Sequence, residues 1–413
     1  MNAHSYSRGS NAATEADDDA EMESVTSELT EDPDFKCCGG KLHPAAYPPV
    51  WKRLPNTGFG IGMGLAGQAI LWKAIVTSEL INVAIARMML LGFWTACLMV
   101  TSLCTVLYLR KALFHFPLVQ DEMSSASRIH FFNMPHLIAM MLTIAVPEGP
   151  PFPMLVSGQA TGRVIVYSLC LASQLYATSF IYELWLFSAV HKISCSTPMF
   201  FLSTVGWFLL AVLGEELQIG VLVGMSIPTF CLSIGMMTYV MVLIAVLNGL
   251  HDNIKNKGSP ALFLMIAPPS VGVVAFDLME GTPEFSTSSQ LLLGWCLGLA
   301  LFLIRLGPKI AQRPPCLGTY WAYVFPLAAF ANAAVRYAWR MQTLSTKIFA
   351  TVSSSVSFLA LAIVIGRMFY HAYQVWQGDD VWDDPLLNVA SLEAAKAFPK
   401  RKSVLPATNE FLD

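Results

Sequence analysis

The sequence predicts an all-α membrane protein of ten transmembrane helices, arranged as five helical hairpins around a central path, with proline-kinked odd helices inside. Three observations favour this fold: an apolar composition, ten long apolar spans, and a regular alternation of proline along them. Of the 413 residues, 55 % are hydrophobic and 13 % are charged, and the mean hydropathy is +0.54. Soluble domains carry about 25 % charged residues, so the composition argues against a water-soluble globular enzyme.

Charge divides the chain into an apolar body and two acidic ends. Residues 1–52 carry 4 Lys/Arg and 10 Asp/Glu, residues 53–376 carry 17 and 11, and residues 377–413 carry 4 and 7. The first segment has too few apolar residues for a core and predicts a disordered cytoplasmic tail. It also lacks the basic and apolar regions of a cleavable signal peptide. We expect a ten-helix transmembrane domain over 53–376 and a second cytoplasmic tail over 377–413.

The body contains ten apolar spans that are long enough to cross a bilayer. A transmembrane helix needs about 20 predominantly apolar residues. The spans fall near residues 54–75, 81–109, 131–147, 164–190, 197–213, 219–247, 260–279, 289–307, 319–340 and 346–374. The third and fifth spans are the shortest, so the count depends most on them.

Proline alternates along these spans. Every odd span carries it, as Pro55, Pro135, Pro198, Pro268 with Pro269, and Pro326, whereas the even spans lack it except for Pro228. Proline removes a backbone donor and kinks a helix, and lipid tolerates the freed carbonyl only beside protein or a water-filled cavity. The odd helices are therefore expected inside the bundle, although proline is also generally common in membrane helices.

Basic residues between the spans and close to their ends predict the orientation of the chain. Nine lie on one side, namely Arg110, Lys111, Arg128, Lys192, Lys255, Lys257, Arg305, Lys309 and Arg313, and Lys52 and Arg53 join them. Four lie on the other side, namely Lys73, Arg163, Arg340 and Lys347. Cytoplasmic loops collect Lys and Arg, so both termini are expected in the cytoplasm.

Ionisable residues inside the spans are candidate functional groups, because charge is costly in a membrane. They are Arg87, His136, Glu183, Asp277 and Arg336. His136 follows a proline and suits a structural histidine or a transport role. Glu183 is expected in a buried structural pair. Arg336 either attracts anions at the mouth of the path, as the single basic residue there, or extends to the lipid headgroups.

Motifs of soluble enzymes are absent or out of context. Residues 62–67 match a dinucleotide-binding GxGxxG, but they lie inside an apolar span rather than after a strand. Gly60 and Gly64 are better explained by close helix packing or by room in the path. The nine cysteines form no CxxC pair, and no P-loop, HExxH or nucleophile elbow occurs. We therefore expect no enzyme activity, cofactor, metal site or nucleic-acid partner.

Four segments of the body form a recognisable set: Leu54–Trp72 in the first span, Arg128–Pro135 at the third, Ala267–Ser270 in the seventh and Tyr320–Pro326 in the ninth. In this order they resemble the first, third, seventh and ninth helices of the plant slow-type anion channels, within the tellurite-resistance and C4-dicarboxylate transporter superfamily. The resemblance spans residues 52–376 and implies ten helices, a pore lined by the odd ones, an aromatic side chain that closes the pore, and a homotrimer. The short acidic tail departs from the long, more basic amino-terminal region that carries kinase targets in plant members.

The resemblance also suggests roles for individual residues. Phe325 is the best match for the aromatic gate, with Tyr323 nearby, and Phe132 is a second candidate. Arg336 falls where the family often has a basic residue, and Glu183 resembles part of an acid–leucine pair on the fourth helix.

These features favour a passive channel for chloride, nitrate or similar monovalent anions in the plasma membrane, with a regulatory kinase as a candidate partner. The alternatives are a proton-coupled carrier of malate-like dicarboxylates or sulfite, with His136 and Arg336 as its candidate groups, and a non-transporting scaffold or receptor.

Overall fold

Eleven α-helices account for most of the part of the chain that the computed structural model describes, residues 54–124, 128–147, 160–187, 197–222, 225–250, 260–311 and 320–377. They are α1 (Phe59–Ser78), α2 (Val83–Phe114), α3 (Phe116–Ser124), α4 (Met134–Ile144), α5 (Ala160–Phe187), α6 (Phe201–Glu216), α7 (Ile227–Asn248), α8 (Ala267–Glu280), α9 (Thr287–Ala311), α10 (Trp321–Met341) and α11 (Leu344–Gln377). Short 3-10 turns precede α1, α4, α6 and α8. The predicted tail at 1–52, and all but the first residue of the one at 377–413, lie outside the described residues.

Ten of these helices coincide with the ten predicted spans, and α3 is a short additional helix between the second and third. Eight are long and apolar enough to cross a membrane, which makes the chain a multi-pass membrane protein by length and composition. The exceptions are α4, within the short apolar stretch Ile129–Ile144, and α10, which carries Arg336 and Arg340. The full count of ten spans therefore remains a prediction.

Burial alternates along the helices as the proline pattern predicts. In the most apolar windows of the first, fifth and seventh spans, 72 %, 89 % and 78 % of residues are buried, against 17–44 % in the even spans. α10 likewise buries most of its residues. The helices of the even spans are α2, α5, α7, α9 and α11, and those of the odd spans are α1, α4, α6, α8 and α10; they are called the even and the odd helices below. Since apolar side chains on the even helices are exposed to the surroundings, these helices would face lipid, and the odd helices form the interior.

Four of the five odd helices are followed by a residue in the left-handed conformation. Glu79 follows α1, Gln218 follows α6, Gly281 follows α8 and Gln342 follows α10, with φ between 51° and 55°. This conformation ends a helix sharply, and the chain then reverses into the next even helix. The sixth span begins later than predicted, because β1 (Val221–Leu222) and β2 (Met225–Ser226) form a small antiparallel hairpin before α7.

The prediction that proline kinks every odd helix is wrong. Pro135 and Pro268 occupy the first turn of their α-helices, and Pro198 begins the 3-10 turn before α6. At these positions the missing N–H has no intrahelical partner to lose, so proline starts the helix instead of bending it. Among the odd helices, only α10 contains an interior proline, Pro326.

Glycines on α1 allow close contact with α10. A Cβ on Gly64 would lie 2.5 Å from the Trp321 ring, and one on Gly67 would lie 3.2 Å from the Phe325 ring. Gly60 faces the Cβ of Trp321 at a looser 3.5 Å. Small residues that let helix backbones approach are typical of membrane helix pairs, so this stripe of glycines is a packing surface and not a nucleotide loop.

Replacing Gly64 with alanine should destabilise the protein, because the new methyl group overlaps the Trp321 ring. Overpacking of this kind costs about 1–3 kcal/mol. Gly92 on α2 is the matched control, since a Cβ there meets nothing within 4 Å. Gly92→Ala should leave stability unchanged or raise it by about 0.5–1 kcal/mol, through helix propensity. Thermal unfolding of the detergent-purified variants measures both effects, and equal melting temperatures would contradict the packing role.

A buried ion pair attaches the short helix α3 to α2. The Lys111 Nζ donates to Glu122 Oε1 at 2.7 Å and to the Leu54 carbonyl at 3.1 Å, and the Tyr108 hydroxyl donates to Glu122 Oε2 at 2.6 Å. Both charged side chains are about 95 % buried. Lys111 was counted above among the cytoplasmic loop cations, but it is a structural residue that ties the start of the first span to α2 and α3.

Candidate functional site

A cavity of about 290 Å³ lies among α1, α4, α6, α8 and α10. All of its lining residues belong to these five odd-span helices. Apolar side chains line most of it, including Ile70, Met141, Leu209 and Val274. The polar lining lies toward the carboxyl ends of the helices and consists of Lys73, Thr77, Glu216, Asn332, Arg336 and Arg340.

Phe325 lies between this cavity and a second, much smaller one. The smaller space, of about 20 Å³, is lined by residues near the amino ends of the odd spans, including Met63, Met134 and Trp321. Phe325 borders both cavities and is only 3 % exposed. Its ring also lies against Gly67, where a Cβ would be 3.2 Å away. The same buried aromatic residue therefore borders two spaces that lie along the same group of helices.

The residue after Phe325 weakens the helix at this point. Pro326 lies inside α10, so the Ala322 carbonyl loses the donor that position 326 would supply in a regular helix. Ala322 borders the smaller cavity. The site therefore combines a buried ring with a break in the hydrogen bonding of the helix that carries it.

Five charged side chains form a connected cluster at the other end of the large cavity. The Arg340 Nε donates to Asp277 Oδ1 at 3.0 Å, and the Arg336 Nη1 donates to Asp277 Oδ2 at 3.3 Å. Arg336 also approaches Glu216, with Nη2 3.7 Å from Oε1, and the Lys73 Nζ donates to Glu216 Oε2 at 3.1 Å. The cluster thus joins α1, α6, α8 and α10.

The cluster carries one positive charge in excess, since its cations Lys73, Arg336 and Arg340 outnumber its carboxylates Glu216 and Asp277. It lies near the carboxyl ends of these helices, where the unpaired carbonyls repel anions and attract cations. Consistent with this, the Lys73 Nζ also donates to the Ile144 carbonyl, the last residue of α4, at 2.6 Å. The cations therefore offset the negative helix ends at this mouth of the cavity.

The expectation that Arg336 is the single basic residue along the path is wrong. Lys73 and Arg340, which the orientation argument counts with the loop charges, lie in α1 and α10 and line the cavity beside it. Arg336 is paired with two carboxylates of the cluster and borders the cavity, so its contacts do not match an extension to lipid headgroups. Helical spacing could have indicated the other two cations of the cavity: Lys73 follows Gly67 and Ile70 on one face, and Arg340 follows Arg336 by four residues.

His136 belongs to a polar network between helices and does not line either cavity described above. Its Nε2 lies 2.8 Å from Gln174 Oε1, and the Gln174 amide donates to the Thr178 hydroxyl at 2.9 Å and to the Ser203 carbonyl at 2.7 Å. Gly206 leaves the space that this amide occupies. The arrangement favours the structural interpretation, because polar side chains bonded across helices hold membrane bundles together.

The remaining predicted residues lie away from the large cavity. Phe132 is half-buried, contacts the Tyr108 ring edge-on at 6.1 Å, and borders neither cavity. Glu183 is exposed on α5, so the buried pair expected for it is wrong: the hydropathy of a span does not tell which face of its helix is outside. Arg87 is exposed on α2. Gly60 borders the smaller cavity, whereas Gly64 contacts Trp321.

Comparison with protein families gives a match over most of the body. A family model, SLAC1, described as "voltage-dependent anion channel", matches residues 53–369. This range includes all five helices that line the cavity.

Individual relatives agree with the family match. The chain is 26 % identical over 333 residues to the S-type anion channel SLAH2 of Arabidopsis thaliana, covering 79 % of this chain and 60 % of that protein. It is 26 % identical to the guard cell S-type anion channel SLAC1 of the same plant, covering 80 % and 57 %. It is also 24 % identical to a tellurite resistance protein TehA homologue of Haemophilus influenzae, covering 73 % and 87 %. The match thus spans less than two thirds of the length of either plant relative.

Proposed function

Because the chain belongs to the voltage-dependent anion channel family, together with the plant S-type anion channels, we propose that it is a passive channel for chloride, nitrate or similar monovalent anions. The family consists of channels and transporters, so the proposal concerns transport and not catalysis. One observation carries it: the cavity among the five odd helices, with an excess of cations at one end and a buried phenylalanine at the other.

The lining of this cavity suits weak and rapid anion passage. Its walls are mostly apolar, so an anion crossing them gives up hydration with few fixed partners in return. Conduction requires binding that is strong enough for the ion to enter and weak enough for it to leave. Weakly hydrated anions such as nitrate should therefore pass more readily than chloride, and divalent malate should pass least.

We place the gate at Phe325 and leave Phe132 as a secondary candidate. The position of Phe325 between the two cavities supports this choice, as does the interior Pro326 beside it. Conduction in this proposal requires the ring to move out of the path, while the helix break next to it gives the backbone some freedom.

Reversal potentials test the proposal directly. In planar bilayers that contain the purified protein, replacing chloride by nitrate on one side should shift the reversal potential toward higher nitrate permeability. We expect a nitrate preference of several-fold over chloride and a smaller permeability for malate. Protein-free bilayers and an equal gradient of a large impermeant anion serve as controls. A permeability order led by malate, or a current carried by cations, would contradict the proposal.

The same preparation separates the channel from a carrier of malate-like dicarboxylates or sulfite. A carrier would show flux that saturates with substrate and depends on a proton gradient. His136, the residue considered above for proton coupling, is bonded to Gln174 and does not border the cavities, which favours the channel. Flux that stops when the proton gradient is collapsed would support the carrier. A scaffold or receptor would give neither current nor flux.

We extend the proposal to the assembly and its location. We expect a homotrimer in the plasma membrane, with residues 53–376 as the channel domain and both termini in the cytoplasm. A regulatory kinase, if it acts on this chain, is expected to modify the acidic tail at 1–52. Cross-linking in native membranes and protease accessibility of tagged termini measure the subunit number and the orientation.

A further inference from the structure

The two carboxylates of the charged cluster are held in different ways. Asp277 has a side chain that is 1 % exposed, and it accepts from both Arg336 and Arg340. The Glu216 side chain is 26 % exposed and borders the cavity. One carboxylate is thus enclosed by its arginines, whereas the other faces the space through which an anion would pass.

Glu216 lies between two cations and is held weakly. Its Oε2 accepts from Lys73 at 3.1 Å, whereas its Oε1 is 3.7 Å from Arg336 Nη2, which is beyond hydrogen-bond distance. Within the described part of the chain, Lys73 is the residue that donates a hydrogen bond to this carboxylate. Lys73 keeps a second acceptor, the Ile144 carbonyl at 2.6 Å, so it does not depend on Glu216 to remain in place.

A free anion at the position of the Glu216 carboxylate would lie between two cations that border the cavity. Lys73 and Arg336 approach it from α1 and α10, and all three side chains remain 19–26 % exposed toward the cavity. A nitrate or chloride ion that reaches this mouth must compete with Glu216 for the same two cations. A glutamate side chain has several rotatable bonds and can leave without moving its helix.

We propose that Glu216 is a tethered, displaceable counter-anion: an anion entering the cavity takes its place between Lys73 and Arg336, and Glu216 returns when the anion leaves. This inference rests on the proposed anion conduction and places an anion-binding site at the charged mouth of the cavity. Competition with a tethered carboxylate keeps the affinity of the site low, as rapid passage requires. Asp277 meanwhile keeps Arg336 and Arg340 in position, whether or not an anion is bound.

Nitrate titration of Glu216→Gln tests the proposal. Glutamine keeps the shape of the side chain but removes the competing charge, so half-saturating nitrate should fall about two- to fivefold, the range that a part-exposed ion pair allows. The titration is read in two ways: nitrate-dependent thermal stabilisation of the purified protein, and the concentration dependence of current in bilayers. Glu215→Gln is the matched control, because this neighbouring glutamate on α6 does not line the cavity, and its titration should equal that of the wild type.

The two readouts separate this inference from the proposed channel function. Tighter nitrate binding in Glu216→Gln without current in any variant would support the displaceable glutamate and overturn the channel. Current with a titration unchanged by Glu216→Gln, or weakened by it, would overturn the displaceable glutamate and leave the channel. Lys73→Gln provides a second test, since removal of one of the two cations should weaken nitrate binding. If Glu216→Gln does not accumulate, Glu216→Asp, whose shorter arm holds the cations less well, should shift the titration in the same direction.

Discussion

Replacement of Phe325 by alanine is expected to increase anion current by about tenfold or more. The ring is 3 % exposed and lies between the two cavities, so its removal would join them without any movement of the helix. A conducting conformer that must first displace the ring is a minor state, and such states make up about 0.1–10 % of a population. Current per channel at the cell surface, normalised by surface labelling, measures the effect.

Phe330 provides the control for this experiment. It lies on the same helix and is similarly buried, but its ring contacts Phe349 edge-on at 5.8 Å and lines neither cavity. Phe330→Ala should therefore lower stability and leave the current per channel unchanged. Equal currents in the two variants would contradict a gate at Phe325. A larger current in Phe132→Ala than in Phe325→Ala would show that the constriction lies at Phe132, in the third span.

The sequence predicts the helical organisation well because hydropathy and proline report on the surroundings of a whole helix. Ten apolar spans coincide with ten helices, and the odd ones are the most buried. The prediction that proline kinks each odd helix is wrong for Pro135 and Pro268, because these prolines start their helices. A proline in the first turn and a proline at a kink look the same in a sequence until the beginning of the helix is known.

The charged cluster could be predicted only in part. Arg336 stood out because it falls inside a span, but its partners required knowledge of which helices are neighbours. Asp277 is 59 positions from Arg336, and Glu216 is 143 positions from Lys73; no local pattern links such distant residues. Lys73 and Arg340 count with the loop charges in the orientation argument because each lies within two residues of the end of its predicted span, yet both are helical residues that line the cavity.

Replacement of Asp277 by asparagine should destabilise the protein more than loss of Glu216, the other carboxylate of the cluster. Its side chain is 1 % exposed and forms ion pairs with both Arg336 and Arg340, at 3.3 and 3.0 Å. Removing one partner of a buried ion pair leaves an uncompensated charge and costs about 3–5 kcal/mol. The two arginines are 17–19 % exposed, so partial hydration should keep the loss near about 3 kcal/mol. Thermal or denaturant unfolding in detergent measures it.

Glu280 supplies the matched control, since it lies on the same helix, α8, and is exposed. Glu280→Gln removes the same charge and should change stability by less than about 0.5 kcal/mol. A double-mutant cycle with Arg340→Gln then separates the pair from the rest of the site. Loss of Asp277 should cost less when Arg340 is already neutral, because one fewer buried guanidinium is left without a partner. Strictly additive losses would show that the two residues stabilise the helix bundle independently, and that Asp277 does not hold the arginines at the mouth of the cavity.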